Sequence, residues 1–185
     1  MEIKKGVSTV LGEITKLLEF LDSREVIDFT KDIVKTKRVF VAGSGRALLL
    51  SKCFAKRLSH AEVDVSVIGE TTTPPVTAGE LVIVASCSGE SVIPLAITTK
   101  AKQMGAMLWG ITACPDSSIA KQCNRVLILS SSGYKQDDAK VISAQPMNNL
   151  FEQGLHIVFD IVSWSVQKEK GISDDKLCGH HTNIE

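Results

Sequence analysis

Apolar positions along the chain change period several times, and each change marks a different element. Val7, Val10, Leu11, Ile14, Leu17, Leu18 and Leu21 recur at spacings of three and four, whereas Lys4, Lys5, Glu13, Lys16 and Glu19 fall off that stripe. This predicts an amphipathic helix ahead of any strand. Its apolar face has two possible partners, the domain's own sheet or a second subunit, and periodicity does not choose between them. Ser23 is placed to cap a second helix over Arg24 to Lys35. Short apolar runs then alternate with helix-compatible stretches. Strands are predicted at 38–42, 63–68, 81–85, 107–112 and 125–129, and helices at 47–60, at 92–104 and after a cap at Ser117 or Ser118. Such alternation predicts a parallel sheet covered by helices on both faces, with functional groups gathered at the strand C-termini. Residues 130–146 read as a polar loop long enough to be a lid or a subunit arm, residues 147–168 as a strongly apolar helix ended by Gly171, and 174–185 as a polar tail.

Composition narrows the possibilities. The 185 residues suffice for one α/β domain, and 44% hydrophobic with 23% charged residues is ordinary for a globular protein. Lysine plus arginine equals aspartate plus glutamate at 21 each, so no global field recruits nucleic acid or an anionic membrane. The N-terminus has no signal-peptide pattern and no apolar run approaches the roughly 18 residues of a membrane span, which predicts a cytoplasmic protein. Five cysteines without a C-x-x-C pair read as reduced thiols, not as a zinc site or a disulfide framework. Cys87 stands apart, because it falls in a turn at the start of a helix, where it is either a reactive thiol or a small residue filling tight space.

Two strand-end turns carry the candidate chemistry. Ser86-Cys87-Ser88-Gly89-Glu90-Ser91 follows a buried-looking strand and opens a helix, so hydroxyls and free backbone N–H groups converge at the positive end of a helix dipole. That composition suits a phosphate, although serine also caps helices that bind nothing. Gly43-Ser44-Gly45-Arg46 resembles a dinucleotide fingerprint but has Leu48 where the third glycine belongs, and no P-loop sequence exists. A guanidinium at this strand end suits a carboxylate, hydroxyl or phosphate of a small ligand. Two phosphate-compatible turns without a nucleotide motif point to a sugar phosphate. Rearranging one needs a base, and Glu152 in the apolar opening of the last helix is the candidate; its alternative is a glutamate that merely favours the helix dipole. His180 and His181 are candidates to handle the oxygens.

Several segments together resemble a known family. They are 41–46 (Val-Ala-Gly-Ser-Gly-Arg), 69–75 (Gly-Glu-Thr-Thr-Thr-Pro-Pro), 86–91, 111–121 (Ile-Thr-Ala-Cys-Pro-Asp-Ser-Ser-Ile-Ala-Lys), 145–153 (Gln-Pro-Met-Asn-Asn-Leu-Phe-Glu-Gln) and 180–185 (His-His-Thr-Asn-Ile-Glu). Their order is similar to that of the 6-phospho-3-hexuloisomerases of the sugar isomerase (SIS) superfamily. The resemblance implies a single SIS domain spanning 1–185, a three-layer flavodoxin- or Rossmann-like α/β sandwich with a five-stranded parallel sheet. It implies interconversion of 3-hexulose 6-phosphate and fructose 6-phosphate without metal or organic cofactor. By position, it implies substrate contacts from Gly45, Arg46, Ser86, Ser88, Gly89 and Ser91, with Glu152 and His181 as the catalytic pair. The terminal elements are expected to serve a homo-oligomer, a tetramer or dimer of dimers, whose tails complete neighbouring sites. The chain departs from the family pattern at Ala47, Leu48, Cys87, Ser91 and Asn148. At Cys87 the expectation is a loss of freedom at positive φ. These departures leave two alternatives, a sugar-phosphate-binding module without turnover and an isomerase of another aldose or ketose phosphate.

Overall fold

The computed structural model describes residues 2–132 and 139–184. Its elements, in chain order, are α1 (Ile3–Glu19), α2 (Ser23–Lys35), β1 (Val39–Ala42), α3 (Gly45–His60), β2 (Val65–Val67), β3 (Leu81–Ala85), α4 (Val92–Gln103), β4 (Met107–Thr112), α5 (Ser118–Gln122), β5 (Arg125–Ile128), α6 (Asn149–Glu169) and α7 (Asp174–Gly179). The sheet is all parallel in the order β2-β1-β3-β4-β5. The chain winds one way from β1 to β2 and the other way from β1's opposite edge onward. Loops leaving β1 and β3 therefore diverge and open a crevice at their C-terminal ends.

Period-2 alternation within the strands builds the three layers. Val39, Val41, Leu81, Ile83 and Ala85 belong to one apolar core with α1, α2, α3 and α6, whereas Phe40, Ala42, Val82, Val84 and Leu108 belong to a second with α4 and α5. Both faces are thus dry, as continuous apolar strands require. Each fully buried aliphatic or phenyl side chain contributes about 1.5–3 kcal/mol. On the first face, Phe54 of α3 stacks on Phe159 of α6 with centroids 4.1 Å apart, and Phe29 of α2 packs 4.8 Å from Trp109. The Trp109 indole N–H donates to Asp32 at 2.9 Å. α3 and α6 are consequently fixed side by side, which matters because each carries a site candidate at its N-terminal end.

The structure revises several boundaries. Asp22, not Ser23, caps α2, its carboxylate accepting from the Arg24 N–H at 2.8 Å. Of the two candidates before α5, Ser117 is the cap. β2 is shorter than predicted, and the polar tail contains a helix, α7, capped by Ser173. The 130–146 loop is not wholly irregular: Ser131 and Val141 form a parallel bridge, and Ser132 Oγ accepts from the Ser143 N–H. The remainder of the predicted lid, residues 133–138, lies outside the described residues. Along α1 the apolar stripe divides. Leu17 is buried against α6, so closely that a side chain at Gly154 would collide with it, while Ile3, Val7 and Leu11 are 76%, 53% and 59% exposed.

Candidate active site

The Ser86–Ser91 turn leaves β3 at the crevice. Gly89 takes φ +63, a left-handed conformation, and any side chain there would run into Ser117 at the start of α5. Backbone bonds complete the seat. Cys87 O accepts from the Ala113 N–H and the Thr112 hydroxyl, both at 2.9 Å, and Gly89 O accepts from the Ile119 N–H at 3.1 Å. The Glu90 carboxylate is turned onto α5, where it accepts from the Ser118 N–H at 2.7 Å, and this bond holds its pKa down. The one acid of the turn is therefore already engaged at α5.

Ser91 occupies the N-cap position of α4 yet makes no side-chain capping bond; its hydroxyl lies 3.3 Å from that of buried Ser86. Ser88 Oγ accepts from the Glu90 N–H at 3.2 Å. No acidic residue stands in the first turn of α4 or of α3, so both helix dipoles act on the crevice without a counter-charge of their own first turns. Cys87 is buried, and burial first, then Cys114 and Glu152, pushes its thiol up to about 12. Its place in the first core and its raised pKa suit a residue that fills space in the turn. Its φ is not positive, so the expected strain at this departure is absent; the left-handed residue is Gly89. The influence of Glu152 on Cys87 also brings that carboxylate into the neighbourhood of the turn.

Across the crevice, Gly45 opens α3 at φ +55 and Arg46 follows it. The Arg46 guanidinium reaches α6, where Nη1 lies 2.9 Å from Glu152 Oε2 and donates to Asn149 Oδ1. Arg46 is largely exposed, whereas the Glu152 side chain is only 13% exposed. Burial raises the Glu152 pKa and Arg46 lowers it; burial prevails, so the carboxyl is more basic than an ordinary glutamate. Among the described residues Oε2 makes no aligned hydrogen bond, its contact with Arg46 being one of charge. Of the altered positions, Ala47 is buried in the first core and Leu48 is half-buried.

Two features were not legible beforehand. Asn149 grips Arg46 from one turn before Glu152, a spacing that places both on one helix face. Met147, just ahead of α6, has φ +57, a conformation that costs a non-glycine residue about 1–3 kcal/mol and concentrates at functional sites. His181 is not with the others. Its ring lies 5.4 Å from that of His60, at the far end of α3, about 20 Å along the helix from Arg46. His180 is beside it, with Nδ1 3.0 Å from His60 O. Among the described residues no group of three His, Cys, Asp or Glu is arranged to hold a metal ion, and no helix is long and apolar enough to cross a membrane.

A crevice at the β1/β3 switch point, lined by a hydroxyl turn and an arginine–glutamate pair, is the architecture of a sugar isomerase domain, and the SIS domain model matches residues 32–153. The 3-hexulose-6-phosphate isomerase of Bacillus subtilis (strain 168) is 32% identical over 185 residues, covering 100% of both chains. That of Mycobacterium gastri is 35% identical over 184 residues, covering 100% of this chain and 92% of its own. A Methanococcus jannaschii protein, whose crystal structure infers a molecular function of 3-hexulose-6-phosphate isomerase, superposes with a TM-score of 0.84 at 25% identity, covering 98% of this chain and 99% of its own. The chain belongs to the SIS domain family and, within it, to the 6-phospho-3-hexuloisomerases.

Proposed function

We propose that the protein is a sugar-phosphate isomerase that interconverts 3-hexulose 6-phosphate and fructose 6-phosphate through a cis-enediol spanning C2 and C3. In the ribulose monophosphate route this step follows the aldol addition of formaldehyde to ribulose 5-phosphate. The observation that carries the reading is the half-buried Glu152 carboxylate, its pKa raised by burial, paired with Arg46 beside the Ser86–Ser91 turn. The full-length relatives named for this reaction support the choice of sugar. In this reading Ser86, Ser88, Ser91 and the amides around Gly89 bind the phosphate. Gly45 lets the chain turn so that Arg46 meets the sugar oxygens, and Glu152 carries the proton between C2 and C3. Enediol chemistry of this kind asks only for a base and hydrogen-bond donors, so no metal or organic cofactor is assigned.

His181 acts in a neighbour's site, assisting ring opening or oxygen protonation, and the enzyme works as a cytoplasmic homo-oligomer. Support for the assembly comes from α1, whose exposed Ile3, Val7 and Leu11 line a groove of about 920 Å³ that also reaches Pro146 and Asn149 at the start of α6. A second copy covering this face would remove that apolar surface from water.

The test is to supply 3-hexulose 6-phosphate and follow fructose 6-phosphate in a coupled assay, with calorimetry of sugar-phosphate binding alongside. Turnover is expected. Binding without turnover would replace the enzyme with a sensing module, and faster turnover of another aldose or ketose phosphate would change the substrate. Cys87, whose φ is not positive, and Ala47, which lies in the core, favour neither alternative.

A further inference from the structure

Glu13 stands off the apolar stripe of α1, yet it is half-buried and its carboxylate is fully engaged. Oε2 accepts from the Ser143 hydroxyl at 2.6 Å and from Gln145 Nε2 at 2.9 Å, while Oε1 accepts from the Ala144 N–H at 2.8 Å. The Gln145 carbonyl oxygen in turn accepts from Gln153 Nε2 at 2.8 Å. Gln153 is the residue immediately after Glu152. A continuous chain of hydrogen bonds thus runs from α1, through the segment 143–145, to Gln153 just past the first turn of α6. Between that segment and the helix lies Met147 in its left-handed conformation. A strained turn keeps its shape only when its surroundings hold it. Here the holding groups come from α1, some 130 residues away in sequence. Burial works against the ionised form of Glu13, but the hydrogen bonds from Ser143, Ala144 and Gln145 outweigh it and keep the pKa low, so the anchor is charged at neutral pH.

We infer that Glu13 is a positioning residue: through Ser143, Ala144 and Gln145 it fixes the turn at Met147 and so aims Glu152 at the substrate. The inference rests on Glu152 being the proton carrier. A base displaced by about 1 Å loses up to about a hundredfold in rate without losing its ligand. Glu13→Ala should therefore lower kcat by about tenfold or more while KM changes little. The acid limb of its pH–rate profile should move, because the Glu152 carboxyl changes surroundings. Amide hydrogen exchange over 149–153 should quicken. Glu13→Gln keeps one acceptor oxygen, enough for the Ala144 N–H or for Ser143 and Gln145 but not for both, so it should recover part of the rate. Gln145→Ala cuts the chain at its other end and leaves α1 intact, which covers the case in which Glu13→Ala fails to fold; it should lower kcat in the same way. Wild-type kcat and exchange in folded Glu13→Ala or Gln145→Ala, with Glu152→Gln inactive, would overturn the inference alone. Normal turnover by Glu152→Gln would instead remove the base assignment, and this inference with it.

Discussion

The two ends of α3 hold titratable groups under opposite terms. At its N-terminal end Arg46 meets Glu152, and burial makes the carboxyl more basic than usual. At its C-terminal end His60 is 2% exposed, neither ring nitrogen has a hydrogen-bond partner among the described residues, and burial makes the imidazole less basic. Burial disfavours the charged form in both cases. For a carboxyl that makes the ionised form a better proton acceptor; for histidine it favours the neutral ring. The tail then packs on that ring, with Glu62 holding Lys176 at 2.6 Å and lying 3.5 Å from His180. Residue type alone therefore does not make a catalytic group. A single chain brings together Arg46, Glu152 and the serine turn and keeps His181 at the other end of the helix.

The largest effect that separates the two ends should come from Arg46→Ala, which removes a fixed cation from developing enediolate charge. We expect kcat/KM to fall by about a hundredfold. The pH profile carries the sign. With Glu152 as the base, activity should be lost on the acid side as it takes up a proton, and Arg46 is the group that lowers its pKa. Without Arg46 the acid limb moves to higher pH. Arg46→Lys should recover the position of that limb better than it recovers the rate, since an ammonium keeps the charge and loses the planar fork.

Next, Ser86→Ala and Ser91→Ala should each raise KM by about tenfold, the value of one hydrogen bond to a charged group, with kcat much less affected. Calorimetry with fructose 6-phosphate and with unphosphorylated fructose checks that the loss is specific to the phosphate. A smaller, qualitative effect tests the division of the site between subunits. His181→Ala and Glu152→Gln chains, each impaired alone, should regain activity when unfolded and refolded together, because some mixed sites then hold both intact groups. The smallest effect concerns the tail end. His60 is surrounded by Lys56, Arg57, His180 and His181, all of which, like burial, lower its pKa. As pH falls through about 6.5, the unfolded chain gains a proton that folded His60 refuses, so stability drops on the acid side. Tm measured from pH 7.5 to 5.5 should decline less in His60→Leu than in the wild type.

Much of this architecture was legible in the chain because parallel strands buried on both faces read as short apolar runs bounded by glycine. The Ser86–Ser91 turn was legible for the same reason, as a hydroxyl cluster at the end of such a run. Arg46 and Glu152 were each visible from their own surroundings, one at a strand end and one in an apolar helix start. Their contact was not, since it depends on α3 and α6 lying together through Phe54 and Phe159. The Glu13 chain was still less visible: a glutamate off an apolar stripe looks like any solvated residue until the partner segment is known. The tail misled in the opposite way, because polar composition concealed a helix that Ser173 caps and Glu62 holds.

Glu152 bears the central claim, and solvent isotope exchange reaches it directly. Fructose 6-phosphate incubated with the wild type in D2O should acquire deuterium at C3, the carbon whose proton the base removes to form the 2,3-enediol. Glu152→Gln should still bind fructose 6-phosphate in calorimetry while both deuterium uptake and kcat fall by about 10²–10⁴-fold. Uptake by Glu152→Gln at the wild-type rate would contradict the account and move the base elsewhere in the crevice.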